Sequence, residues 1–201
     1  MPVISEYNFE REKIREVLEG IYNTVIIKDV AQRNKISDIP LLQKIVLFLS
    51  NNIGNITSAN NISNYLISDK QLIHSGKNVK PAQKTTDNYL KALENAYIFY
   101  HVKRYNAKGK VFLKTLGKYY IADIGVRNML LKYKNTNMGN VLENIVFLEL
   151  LRRGYDVSIG KVGVCEIDLS LRTQTELSII RLAKQCLARK EDKENLRLYR
   201  L

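Results

Sequence analysis

A chain of 201 residues, 45% of them apolar, with a formal net charge of +12, has enough material for one large folded domain or two small ones, and its charge favours polyanionic partners, nucleic acid first. Its two cysteines, Cys165 and Cys186, and its two histidines, His74 and His101, form no CxxC or Cys/His cluster, which argues against a zinc centre. There is no signal peptide and no apolar run of about 18 residues, so a cytoplasmic chain without membrane contact is expected.

The first predicted helix lies in FEREKIREVLEGI, where Phe9, Ile14, Val17, Leu18 and Ile21 recur at helical spacing. Thr24 to Ile27 reads as a short apolar stretch, followed by the polar, basic KDVAQRNKI. DIPLLQKIVLFLSNNIGN predicts a largely buried helix with Asp38 as N-cap, Pro40 in its first turn and Gly54 punctuating its end. SANNISNYLISD predicts a short helix capped by Ser58, with Ile62, Tyr65 and Leu66 inward. KQLIHSGKNVK is a looser connection. Thr85 or Thr86 caps a third helix, whose apolar face is Tyr89, Leu90, Leu93 and Ala96.

YIFYHVKRY and VFLKTLGKYYIAD then alternate as two strands around the turn NAKGK. Three helices followed by a β-hairpin is the winged-helix order, in which the third helix enters the major groove. GNVLENIVFLELLRRGYDV predicts the strongest helix, with Val141, Leu142, Ile145, Val146, Leu148 and Leu151 as its inward stripe and a basic last turn stopped by glycine. DVSIGKVGVCEIDLS reads as two further strands turning between Gly160 and Gly163.

Lys84, Lys91, Arg104, Lys108 and Lys110 are the candidate nucleic-acid contacts, in or near the third helix and the hairpin, within a wider basic set that includes Lys103, Lys114 and Lys118. Such side chains neutralise phosphates, an interaction that weakens with salt. Tyrosines are interleaved among them, but Tyr89 and Tyr97 stand at helical spacing and read as core. Glu143, in the first turn of the strong helix, and Asp168, at a strand end, are the candidates for a catalytic pair and would make up half of a magnesium site. A hard cation needs more oxygens than one such pair offers, and an acid in a first helical turn is also an ordinary feature. GKVG lacks the GxxxxGK[ST] spacing of a phosphate loop, so the chain is not expected to hydrolyse ATP.

The stretches GIYNTVIIKDVAQRNKI, NNIGNITSANNISNYL, TTDNYLKALENAYIFYHVKRYNAKGK, KYYIADIGVRNMLL and GNVLENIVFLELLRRGYDVSIGKVGVCEID resemble the C-terminal half of a family of bacterial and archaeal AAA-type ATPases, over roughly residues 5 to 168. The resemblance implies an ATPase core using ATP and magnesium, absent here, then a winged helix, then a restriction-endonuclease-like α/β domain of unknown function. Glu143 and Asp168 fall on that last fold's acidic positions.

After Asp168 the resemblance stops. Restoring one base beside the Asp168 codon in a possible coding sequence yields DFIAQNADGIEYYQV, a family-like continuation, so residues from Leu169 onward read as out of frame. Even the restored YYQV strand has Gln but no Lys two residues on, which argues against nuclease activity.

The expected architecture is therefore α+β: a linker helix region over 1–36, a winged helix-turn-helix over 37–122, a truncated endonuclease-like domain over 123–168, and a helical or disordered tail over 169–201. The expected function is a C-terminal fragment of an AAA-family ATP-binding protein, without enzymatic activity or a cofactor of its own. Its partners would be DNA and the ATPase core of a related protein. A metal-dependent nuclease using Glu143 and Asp168, and a stand-alone winged-helix regulator, are the alternatives.

Overall fold

A computed structural model describes residues 10–68, 73–74, 77–78, 83–106, 111–133, 137–162, 165–172 and 177–180. The fold is mixed α+β. In chain order it runs α1 (Arg11–Ile21), a π-helical segment (Tyr22–Asp29), α2 (Val30–Arg33), α3 (Ile39–Asn51), β1 (Ile56–Thr57), α4 (Ala59–Ser68), β2 (Ile73–His74), β3 (Lys77–Asn78), α5 (Gln83–Asn95), β4 (Phe99–Asn106), β5 (Val111–Ile121), α6 (Ile124–Leu130), α7 (Met138–Arg152), β6 (Asp156–Val162), β7 (Cys165–Arg172) and β8 (Leu177–Ile180).

The chain divides into two compact units, each assembled from separate stretches. One comprises Met1–Ile53, Thr57–Tyr100 and Ile121–Thr136 and holds the helices α1 to α6. The other comprises Gly54–Ile56, His101–Tyr120 and Asn137–Leu201 and holds α7 and nearly all of the main sheet. This division cuts across the expected one, because most of the β4–β5 hairpin groups with α7 and the last strands rather than with the three helices before it.

In the helical unit, the β-branched run Thr24–Ile27 crowds the preceding turn of an α-helix. The helix widens there to the π form rather than ending, and Thr24 Oγ1 donates to Gly20 O at 2.6 Å. Asp38 caps α3 as expected, its carboxylate accepting from Leu41 N at 2.9 Å with Pro40 in the first turn. Ser58 accepts from Asn61 N at the start of α4. Leu42, Ile45, Ile53, Ile62 and Leu93 are fully buried, so truncating any one of them to Ala costs about 2–5 kcal/mol. Arg127 of α6 is buried too. Its Nε donates to Ser50 O at 2.9 Å, which places a cation at the carbonyl-rich C-terminal end of α3.

Three helices of this unit end on a residue in the left-handed region where glycine is usual: Lys35, Tyr97 and Lys132, with φ of 52°, 55° and 53°. Each end closes with the paired Schellman bonds, such as Tyr97 N to Glu94 O at 2.9 Å and Ile98 N to Leu93 O at 3.1 Å.

Among the described residues the main sheet has six strands in the order β1-β5-β4-β6-β7-β8, and β2 and β3 form a separate two-stranded sheet. β4 and β6 run parallel, with Arg104 opposite Ile159, whereas β6–β7 and β7–β8 are antiparallel. The β6–β7 register shifts between Ser158 and Gly160, so Asp168 and Leu169 together face the single residue Ile159. β5 approaches β4 closely at Gly117, where a Cβ would press on the His101 ring and lie 2.6 Å from Val102 O.

The structure corrects the expected tail. Leu169–Arg172 continue β7, and Leu177–Ile180 form β8 antiparallel to them, Leu169 opposite Ile180 and Arg172 opposite Leu177. Helix or disorder was expected because the apolar residues here fit a helical stripe, but an open sheet edge offers unpaired N–H and C=O groups that an apolar, β-branched segment such as Leu177–Ile180 satisfies. Residues 181–201 lie outside the described residues.

Candidate functional site

In the sheet-bearing unit, α7 does not present the expected stripe. Leu142 and Ile145 are 57% and 50% exposed, while Asn140, Val141, Glu143, Asn144, Phe147 and Leu150 are buried. The inward face is polar because distant residues satisfy it. Lys118 Nζ of β5 lies 2.8 Å from Glu143 Oε1, and Tyr120 Oη donates to the same oxygen at 2.6 Å. Asn140 donates to Asn55 Oδ1 at 3.1 Å. The Tyr120 and Phe147 rings stack at a centroid distance of 4.2 Å.

Gly54 makes room for this carboxylate. Its φ is +70°, and a Cβ there would lie 3.3 Å from Glu143 Oε1. Gly54–Asn55, Lys118–Tyr120 and Asn140–Asn144, each from a stretch that carries the family resemblance, thus converge on one cluster, buried except at Asn55 and Leu142.

Chemically, the cluster is a structural lock. The Glu143 carboxylate is buried, and Lys118 and Tyr120 already occupy Oε1, so a cation at that oxygen would have to compete with both. Among the described residues no group of three or more His, Cys, Asp or Glu side chains is placed to hold a metal. Asp168 is placed by backbone only, on β7 at the register shift. Lys118, part of the wider basic set expected on the hairpin, is buried in the lock instead. Nearby, His101 stacks on Tyr119 at 4.6 Å and an interplanar angle of 9°. Burial, reinforced by the charge of Lys103, holds its imidazole below the ordinary value.

The helical unit carries a different arrangement. α5 begins at Gln83, so Thr85 and Thr86 lie inside the helix rather than capping it; Thr86 is buried and its hydroxyl meets that of Ser63 on α4 at 2.9 Å. Tyr89, Leu90, Ala92 and Leu93 are buried, which fixes the helix's rotation, whereas Ala96, beyond its end, is exposed. Lys84, Asn88, Lys91 and Asn95 consequently form one exposed face, at spacings of four, three and four residues. The face extends about 16 Å along the helix. None of the four side chains makes a hydrogen bond or ion pair among the described residues.

Lys84 and Lys91, expected as nucleic-acid contacts, are therefore brought together on this face. Arg104 is half-buried on β4 and belongs to the other unit. Lys108 and Lys110 lie outside the described residues. Asn88 and Asn95 were not singled out in the sequence, although their i, i+7 spacing with each other and alternation with the two lysines was there to be read. Two aromatic expectations are also corrected: Tyr65 is 45% exposed and Tyr97 71%. Helical spacing placed Tyr97 in the core, but the helix ends at Asn95 and the left-handed turn takes Tyr97 off its face.

A family model described as a domain of unknown function (DUF8612) matches residues 1–137. An uncharacterized protein of Haemophilus influenzae is 38% identical over 186 residues, covering 92% of this chain and 44% of its own length. An uncharacterized protein of Methanocaldococcus jannaschii is 31% identical over 153 residues, covering 76% of this chain and 31% of its own. The chain thus spans less than half the length of these curated relatives. A match over 92% of the chain cannot stop at Asp168, so the Haemophilus protein aligns with residues beyond it. No solved structure matches.

Proposed function

We propose that this chain, which belongs to the DUF8612 family of domains of unknown function, binds duplex DNA through the exposed face of α5. The observation that carries the proposal is the exposed Lys84–Asn88–Lys91–Asn95 stripe, without a partner among the described residues. Lysine neutralises phosphate or donates to guanine O6 and N7, and an asparagine amide matches adenine N6 and N7, so this set suits a major groove. Support also comes from the element order α3, α4, α5, β4, β5, which is that of a winged helix, and from β1 lying beside β5 in the strand order. The charge of +12 points the same way.

In this reading the chain is the binding part of a longer AAA-type ATPase and hydrolyses no ATP itself. The resemblance of its sequence, and relatives more than twice its length, favour that arrangement. A restriction-endonuclease-like relationship for the sheet-bearing unit rests on Glu143 and Asp168 alone, and the engagement of Glu143 by Lys118 and Tyr120 weighs against a metal there. A change of reading frame after Asp168 is a separate reading. The β7–β8 pairing and the Haemophilus similarity beyond Asp168 stand against it, and the nucleotide sequence of the gene decides it.

The test is fluorescence anisotropy with labelled duplex DNA across a salt series. Binding should weaken with salt, with a log–log slope of about −0.9 per phosphate contacted, and Lys84→Glu and Lys91→Glu should each weaken it and flatten the slope by about one unit. Absence of binding at about 50 mM salt, or affinity indifferent to both charge reversals, refutes the proposal.

A further inference from the structure

Tyr97 is the most exposed large apolar side chain among the described residues, at 71%. It also holds a backbone conformation, φ 55°, that a bulky L-residue adopts at a cost and glycine does not. The Schellman bonds around it use backbone atoms only, so glycine would close the helix equally well. Its one ring contact among the described residues is with the half-buried Tyr100, whose ring centroid is 6.4 Å away at an angle of 52°. The fold thus carries an aromatic ring where it gains almost no packing from it and where the backbone would favour another residue.

What surrounds Tyr97 in the chain says what the ring suits. It stands two residues past Asn95, the end of the face that begins with Lys84, and Lys84 and Lys91 supply two cations that have no partner among the described residues. An aromatic plane that follows a face of cations and amides in the chain fits a nucleobase attached to a phosphate backbone.

We propose that Tyr97 stacks on an unpaired base, so that the helical unit prefers DNA containing a single-stranded end or gap to continuous duplex. The inference rests on the DNA-binding reading of α5 and adds to it the form of DNA recognised. The duplex part of the ligand lies along the Lys84–Asn95 face.

The experiment compares Tyr97→Gly and Tyr97→Phe with the unaltered chain on two DNAs, a continuous duplex and the same duplex with a 3′ overhang carrying 2-aminopurine at its first unpaired position. Thermal unfolding of each protein is recorded alongside. Tyr97→Phe keeps the ring and should retain both affinities and the quenching of 2-aminopurine. Tyr97→Gly should unfold at the same temperature or higher, bind the overhang DNA about tenfold or more weakly, lose the quenching, and leave continuous-duplex affinity unchanged. A Tyr97→Gly protein that keeps the overhang preference, loses affinity for both DNAs alike, or unfolds earlier overturns the proposal. The parent reading fails separately, if Lys84→Glu and Lys91→Glu leave binding to both DNAs unaltered.

Discussion

Replacing Lys118 with methionine removes one of the two groups that engage Glu143 and leaves the length of the side chain nearly unchanged. Among the described residues the carboxylate then keeps the Tyr120 hydroxyl alone, at 2.6 Å, in a site where its side chain is 2% exposed. A buried charge stripped of its partner costs about 3–5 kcal/mol, against a total stability for a domain of about 5–15 kcal/mol. Removing the charge as well reverses most of that cost, because the penalty lies in the uncompensated carboxylate rather than in a lost attraction. Lys118→Met combined with Glu143→Gln should therefore recover at least about 2 kcal/mol relative to Lys118→Met alone. Urea unfolding followed by far-UV circular dichroism measures all three variants on one scale. A loss below about 1 kcal/mol for Lys118→Met would mean that the pair behaves as a solvated surface bridge. Strict additivity of the two substitutions would equally refute the account.

Gly54→Ala should cost about 2 kcal/mol in the same assay, from its left-handed backbone (φ +70°) and a Cβ placed 3.3 Å from Glu143 Oε1. Lys132→Gly, and likewise Lys35→Gly, should raise the urea midpoint by the equivalent of about 0.5–1 kcal/mol, since each relieves a left-handed non-glycine residue at an exposed helix end; a lower midpoint for both would show that the lysine side chains matter more than the backbone. Burial lifts the Tyr22 phenol from 10.0 to about 12. A raised acid is neutral in the folded state while already ionising in the unfolded one, so its contribution is intact below pH 10 and is lost as pH climbs through about 12, a change of about 2 kcal/mol that Tyr22→Phe should abolish.

Local signals were legible and distant ones were not. The Asp38 cap, Pro40, the Ser58 cap and the β4–β5 hairpin follow from residues within a few positions of one another, and each stands where the sequence puts it. The rotation of α7 depends on Lys118 and Asn55, 25 and 85 positions from the residues they meet. Apolar periodicity therefore turned Leu142 and Ile145 inward, having no way to count a satisfied carboxylate and two asparagines as interior. Tyr97 was misplaced for a smaller reason: the α5 stop has no glycine to announce it. Lys84 and Lys91 were legible as basic residues of the third helix, but the pattern they complete with Asn88 and Asn95 depends on which side of α5 is covered, and that is settled by contacts made by Thr86, Leu90 and Leu93.

The two compact units are interleaved along the chain, the sheet-bearing one beginning at Gly54 and resuming only at His101 and again at Asn137. No single proteolytic nick or stop codon can therefore separate one unit from every part of the other. On the ribosome, the Gly54 that cradles the Glu143 carboxylate emerges long before Glu143 itself, and β4 must wait for β6 to be made before Arg104 finds its neighbour Ile159. Shortened versions of this polypeptide should accordingly be insoluble or chaperone-bound more often than its modest size suggests, because assembly of both halves is deferred until most of the chain has been synthesised.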